Sequence, residues 1–256
     1  MKTIWKGSIS FGLVNIPVKM YTATQSHTLD LDMLHKDDLC PIKFLRVCRE
    51  DGREVPYKDI VKGYKYKDGD YVVLTNKDFE AASVEKTHSI DIEHFIDEKE
   101  INSIYYEKPY YLEPEKGGTK SYSLLREAIK KSKKVGIGRF VLKNREHIGV
   151  LKLYDDMIIW NQLRYQDEIR SPKDLGIPKG GHTSAKEVDM AIALIKQLEH
   201  KFTPKDYKDT YVEELKKIIE QKAKGRKVKP KGKAPKATSS KNLMTLLKSS
   251  IKKKAA

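Results

Sequence analysis

The side chains best suited to chemistry in this chain are two cysteines, seven histidines and a few acidic pairs. Cys40 and Cys48 are separated by seven residues, with His35 nearby. A structural zinc usually takes four ligands, commonly from close Cys pairs, so a thiol pair without metal is the favoured reading. The histidines (His27, His35, His88, His94, His147, His182 and His200) form no His-x-x-x-His pair. Asp155-Asp156 lies between two apolar runs and reads as a turn before it reads as a magnesium site. A nucleotidyl-transfer ligase needs a lysine two residues before Asp-Gly. Neither Tyr66-Lys67-Asp68-Gly69 nor Arg49-Glu50-Asp51-Gly52 places one there. Gly136-Ile137-Gly138 is not a phosphate loop; within a strand it reads as close backbone packing. Tyr105, Tyr106, Tyr110 and Tyr111 have the rings to stack single-stranded bases, but cross-strand packing with hydroxyls at a wet edge is preferred. Nothing assembles a nucleophile, a base and an oxyanion donor, so the chain is expected not to be an enzyme. Neither a cofactor nor a metal site is expected.

The elements that hold these residues are mainly strands. Ile9, Phe11 and Leu13 alternate with polar or small residues, as do Val14, Ile16, Val18 and Met20, which is the period of a strand. Pro17 lacks an N–H, so the second strand is expected at an edge or with a bulge. Tyr71–Leu74, Ser89–Phe95 and Ile104–Leu112 are further strands, the second with Ile90, Ile92 and His94 alternating against Asp91, Glu93 and Phe95, and Asn76 is the expected cap of a short helix. Tyr122, Leu125 and Ile129 have helical spacing. The runs 135–142, 147–154 and 157–163 make a meander, with turns at 143–146 and at Asp155-Asp156. Ser184-x-x-Glu187 opens one helix and Thr210 begins another, ended by Gly225. Many short strands with one inserted helix favour a barrel over a parallel sheet.

Charge is divided unevenly along the chain. Of 51 lysines and arginines, 13 fall in residues 221–256, where there is no Asp or Glu; the remaining 38 face 36 acidic groups, a net of +2. A nearly neutral body with a basic arm suggests a polyanionic partner. Residues 226–241, rich in Lys, Pro, Gly and Ser, are expected to be disordered. Leu243, Leu246, Leu247 and Ile251 then form a short apolar stripe. No apolar run approaches the ~18 residues of a membrane span, so no membrane partner is expected. The N-terminal residues carry no signal-peptide pattern, so a cytoplasmic, nucleoid-associated location is expected.

The run Ile4-Trp5-Lys6-Gly7-Ser8-Ile9-Ser10-Phe11-Gly12-Leu13-Val14-Asn15-Ile16-Pro17-Val18 resembles the opening of the bacterial Ku family, DNA-end-binding proteins of non-homologous end joining. Residues 54–64 (Glu-Val-Pro-Tyr-Lys-Asp-Ile-Val-Lys-Gly-Tyr), Tyr71–Leu74, Glu107–Pro114 and Arg139–Leu142 with Arg145-Glu146-His147 also look like that family, in its order. The resemblance implies a mainly β fold with α: a Ku-core β-barrel over residues 1–183, with an inserted arm at about 25–70 that closes a ring around duplex DNA in a homodimer. It implies a helical C-terminal segment, here 184–225, followed by the lysine-rich tail 226–256. It implies partners: double-stranded DNA ends, a second copy of the chain, and the ATP-dependent DNA ligase of end joining. Some family members have additional cysteines, including a Cys-x-x-Cys, in the region of Asp38–Gly52; only Cys40 and Cys48 stand here, which weakens the case for zinc further.

A ring that accepts any broken end contacts phosphates, which give affinity without sequence information. In the arm the candidate contacts are Lys36, Lys43, Arg46, Arg49 and Arg53. Lys143 and Arg145, on a hairpin tip, form a second group, and Lys227, Lys229, Lys231 and Lys233 in the tail add non-specific affinity. The alternative is a metal-dependent nuclease using Asp155, Asp156 and Glu168.

Overall fold

A computed structural model describes residues 1–67, 69–82, 88–143, 145–177, 183–226 and 243–254. The strands are β1 (Trp5–Phe11), β2 (Val14–Thr22), β3 (Lys62–Lys65), β4 (Tyr71–Leu74), β5 (Ser89–Asp97), β6 (Tyr106–Pro114), β7 (Lys134–Leu142), β8 (Arg145–Tyr154) and β9 (Met157–Leu163). Seven close into a barrel in the order β1-β2-β6-β9-β8-β7-β5, and β3 and β4 form a separate antiparallel ladder. The barrel is closed by a parallel pairing, β1 with β5, the only one among the described residues. No helix among the described residues is long and apolar enough to cross a membrane.

Alternate residues along each strand face one side, and in this barrel the inward rows are filled. Ile16, Val18 and Met20 of β2, Tyr110 and Leu112 of β6, Leu151 of β8, and Ile158 and Trp160 of β9 meet Trp5, Ile9, Ile90 and Phe140 in one buried cluster. Helix α2 (Thr119–Ser132) seals it with Tyr122, Leu125 and Ile129. The Tyr122 hydroxyl donates to the Leu112 carbonyl and accepts from the Ile158 N–H, each at 2.8 Å, so a buried polar group is satisfied on both sides. Gly138 confirms the close-packing reading: a Cβ there would lie 2.2 Å from the Asp91 carbonyl oxygen.

Three local expectations are corrected. Strand β2 is interior, paired with both β1 and β6. Pro17 is tolerated because its carbonyl accepts from the Glu115 N–H at 2.9 Å on the β6 side, just beyond the last β2–β6 pair, Val18 with Pro114. An extended residue points its N–H and C=O to the same neighbour, so the missing donor faces the end of a ladder. The alternation of β5 breaks at Glu93, an extra residue between Ile92 and His94 in their pairing with β7. Beyond this bulge Ile96 packs with Val135 and Ile137 in a second cluster. Helix α1 (Asn76–Ala81) is capped by Thr75, not Asn76. The Thr75 N–H donates to Asp78 Oδ2 at 2.7 Å, and Thr75 Oγ1 accepts from the Asp78 N–H.

The chain divides into two compact units: Met1–His27 with Leu31–Pro172, and Thr28–Asp30 with Lys173–Ala256. In the first, the segment between β2 and β5 carries two tight turns, each closed by a lone bridge, Leu34 with Pro41 and Val47 with Glu54, then β3, β4 and α1. The second unit is helical. Helix α3 (Ala185–Leu198) opens with the Ser184–Glu187 capping box, and α4 (Thr210–Ala223) closes on Gly225, in a left-handed conformation (φ 69°). The Gly225 N–H donates to the Lys222 carbonyl and the Arg226 N–H to that of Gln221, a Schellman ending. Helix α5 (Leu243–Lys254) packs on α3, and Gln197 Nε2 donates to the Ile251 carbonyl at 3.2 Å. The disorder expected of residues 226–241 falls, from 227 onward, outside the described residues.

Candidate nucleic-acid interface

The basic groups expected on the β7–β8 hairpin are joined by two others at one mouth of the barrel. Arg145 and His147 stand on the same face of β8 as Leu151, which lines the core, and Lys108 stands on the same face of β6 as Tyr110 and Leu112. The inward rows of both strands therefore end in cations. With Thr22, Leu142 and Lys143 these residues line a cavity of about 460 Å³. They come from two pairs of neighbouring strands, β2 with β6 and β7 with β8, separated in the barrel order by β9 on one side and by β1 and β5 on the other, so the cavity lies at the mouth of the lumen. Its floor is apolar, formed by Tyr110 with Ile4 and Leu142, and the buried Phe140 lies 5.6 Å from the His147 ring and 6.5 Å from that of Tyr110, centre to centre. The long insertion leaves at Thr22 and returns at Ser89, close to where Ile90 pairs with Phe140, so both its ends lie at this mouth.

The charges here are partly compensated. Arg145 is ion-paired with Glu168 at 3.3 Å, and Glu107 accepts from Gln162 Nε2 at 3.0 Å. Lys108 Nζ lies 5.6 Å from the centre of the Tyr110 ring. Among the described residues no carboxylate lies within ion-pair distance of Lys108 or Lys143. Burial is the main cause that holds the His147 pKa below the ordinary histidine value; the Arg145 charge adds to it, and Glu107 and Glu168 oppose it. Lys108 and His147 were absent from the sequence candidates. Their common signal was the period of two, which continues an apolar row into a basic residue.

The arm candidates lie on the two tight turns and between them, all exposed. Lys36 is in the turn 35–40, where Asp38 Oδ1 accepts from the Cys40 N–H and meets His35 Nδ1 at 2.8 Å. Lys43 lies between the turns. Arg46 stacks over Tyr57 at 5.0 Å, and Arg49 is on the second turn. Arg53 is paired with Asp51, its Nε donating to Oδ2 at 2.7 Å, and this pairing is the main reason the Asp51 pKa is lowered. The fold thus gathers Arg46, Arg49 and Arg53 at one bridge and holds Arg53 through its own turn. Lys227, Lys229, Lys231 and Lys233 lie outside the described residues.

The same geometry separates the groups a nuclease would need. Asp155 and Asp156 form the β8–β9 turn, with Asp155 left-handed and Asp156 3.5 Å from Lys130 Nζ. Glu168 is held by Arg145 at the opposite end of β8, ten residues long and so about 30 Å away along the strand. Among the described residues no three His, Cys, Asp or Glu side chains are grouped to hold a metal ion. The tyrosines are used in packing: Tyr110 is buried with its hydroxyl on Gln162, and Tyr106 is hydrogen-bonded to Glu98, its pKa pushed up to about 12 by burial first and the Glu98 charge second.

Compared with known proteins, residues 10–190 match the family model described as the Ku70/Ku80 beta-barrel domain. The chain is similar to the non-homologous end joining protein Ku of Opitutus terrae, with 41% identity over 248 residues, 96% of this chain and 88% of that protein. It is similar to the protein of the same name from Archaeoglobus fulgidus, 40% identical over 229 residues, 89% of this chain and 90% of that one. The Coxiella burnetii protein of that name is 36% identical over 260 residues, 99% of this chain and 95% of that one. Among solved structures, the SPOC domain of human PHD-finger protein 3 covers 64% of this chain and 97% of its own at 13% identity, with a TM-score of 0.32, too slight a likeness to carry weight.

Proposed function

From the premise that the chain belongs to the Ku family, we propose that it is a non-catalytic protein that binds DNA double-strand-break ends in non-homologous end joining. It encircles the duplex as a homodimer, independent of sequence, and recruits an ATP-dependent DNA ligase, working in the cytoplasm at the nucleoid.

The observation that carries this reading is the coincidence of the family match with an insertion that has no core of its own. Between Leu31 and Ala82 none of the described residues is buried; Phe44 is 77% exposed and Leu45 63%. Apolar surface of this extent on one segment calls for a covering partner, and a second copy supplies the same patch by two-fold symmetry. Such a dimer presents two copies of the basic turns, and of the basic mouth at the arm's base, to one polyanion. Contacts of this kind reach phosphates and leave base edges unread.

The test is a competition between linear and covalently closed circular duplex of the same sequence. A ring requires a free end, so linear DNA is expected to compete strongly and closed circles weakly. Equal competition by the two forms overturns the reading.

A further inference from the structure

We infer that the arm-bearing mouth of the barrel is a phosphate seat, in which Lys108 and Lys143, with Arg145 and His147, take one phosphate group of the bound DNA. This deepens the end-binding reading and rests on it.

The mouth differs from the other basic surface of the molecule. The arm candidates are spread along exposed turns, Arg46 over Tyr57 and Arg53 tied to Asp51, and line no common cavity among those described. At the mouth, cations from β6, the β7–β8 hairpin and β8 converge on one cavity of about 460 Å³. Its floor is the buried Tyr110 ring, flanked by Ile4 and Leu142, an apolar boundary that strengthens charge interactions above it. The nearby acids are already engaged, Glu168 by Arg145 and the Tyr165 N–H, and Glu107 by Gln162. Thr22 adds a hydroxyl, and Lys108 and Lys143 bring charge with no carboxylate partner among the described residues. Convergent cations, a hydroxyl and an apolar floor suit a tetrahedral oxyanion. Two DNA groups share that chemistry: an internal phosphodiester and the terminal phosphate monoester of a broken end.

Binding of full-length protein to a short linear duplex, measured by fluorescence anisotropy over a range of salt, tests the seat. Lys108→Ala with Lys143→Ala removes two exposed cations from the mouth. Lys116→Ala with Lys120→Ala removes two exposed cations from the other end of the barrel, where the segment before α2 packs on Pro17. The mouth variant is expected to bind about tenfold more weakly, the order of two lost solvent-exposed ion contacts. Its slope of log affinity against log salt should fall by about 1 or more, while the control pair changes affinity less than about twofold. Equal losses from both pairs, or no loss from the mouth pair, overturns the seat. Duplexes with and without a 5′-phosphate then identify the source: a deficit confined to the phosphorylated duplex assigns the terminal monoester, and a deficit on both assigns an internal phosphodiester. If the unaltered protein binds linear and closed circular duplex alike while the mouth pair still loses affinity, end binding fails and the phosphate seat stands.

Discussion

A Cβ on Gly149 would sit 2.4 Å from the Trp160 indole and 2.8 Å from the Asn161 carbonyl oxygen. Trp160 is fully buried at the centre of the main cluster, so it has nowhere to retreat. Gly149→Ala is therefore expected to destabilise the barrel by ~1–3 kcal/mol, read from the urea midpoint, as for other overpacked cores. Gly176, with open space where a Cβ would go and no positive φ, is the control, and Gly176→Ala should leave that midpoint almost unmoved. His147 gives a second prediction, about pH. It shares its surroundings with Arg145, Lys108, Lys143, Glu107, Glu168 and Tyr165, and its pKa in the free protein is lowered, first by burial. A phosphate seated beside it favours the imidazolium, so its pKa rises on binding and DNA affinity grows as pH falls through the bound-state value. Folding responds in the opposite sense. The stability that rests on neutral His147 is present above the unfolded-state pKa and is lost as pH falls below it. Affinity measured from pH 8 to 5.5 should steepen toward acid, and His147→Gln should flatten that gain while the mouth lysines keep their effect.

At the scale of elements, the short C-terminal helix depends on its neighbour. A lone helix of 12 residues is marginal in water. In α5 the half-buried residues Met244, Leu247 and Ile251 form one stripe, and α3 presents half-buried Met190, Ala191 and Leu194. Leu247→Asp places a charge in that stripe and is expected to release α5, raising amide exchange over residues 243–254 while the barrel amides keep their protection. Unchanged exchange in α5 would mean that packing on α3 is not what forms it. The sequence showed the apolar stripe of 243–251 and the helical pattern of 185–198, but the pairing of two stripes separated by over 40 residues is a tertiary fact. The bulge in β5 is of the same kind: a period-two reading carries straight through Glu93, and only the pairing with β7 shows that one residue is extra.

At the scale of the whole molecule, two predictions separate what assembles the protein from what holds DNA. Phe44→Asp with Leu45→Asp puts charge on an exposed apolar stretch of the arm, and, on the proposed homodimer, light scattering is expected to show a monomer where the unaltered protein gives a dimer. A mass that stays dimeric places the subunit contact elsewhere. Removal of residues 226–256 takes away the lysine-rich tail and α5. Salt-sensitive affinity is expected to fall, because fewer counterions are released, while the preference for linear over closed circular duplex persists. Loss of that preference would place end recognition in the tail.

Amino-acid order alone determined the strands apart from β3, the inserted helix with its buried face, the capping box at Ser184, and the contrast between a near-neutral body and a basic C-terminal stretch. These features are local: period, caps, turn residues and charge counts act through neighbours along the chain. The opening run through Val18 and the later family-like segments also made the family legible. Only the tertiary structure decided that Lys108 of β6 meets Lys143, Arg145 and His147 of the β7–β8 hairpin, because strands distant in sequence converge at one mouth when the sheet closes. It also set Glu168 and Asp155-Asp156 at opposite ends of β8, which one dimension cannot express. Closure brings together the ends of strands, and the chemistry of the mouth is the sum of what those ends carry.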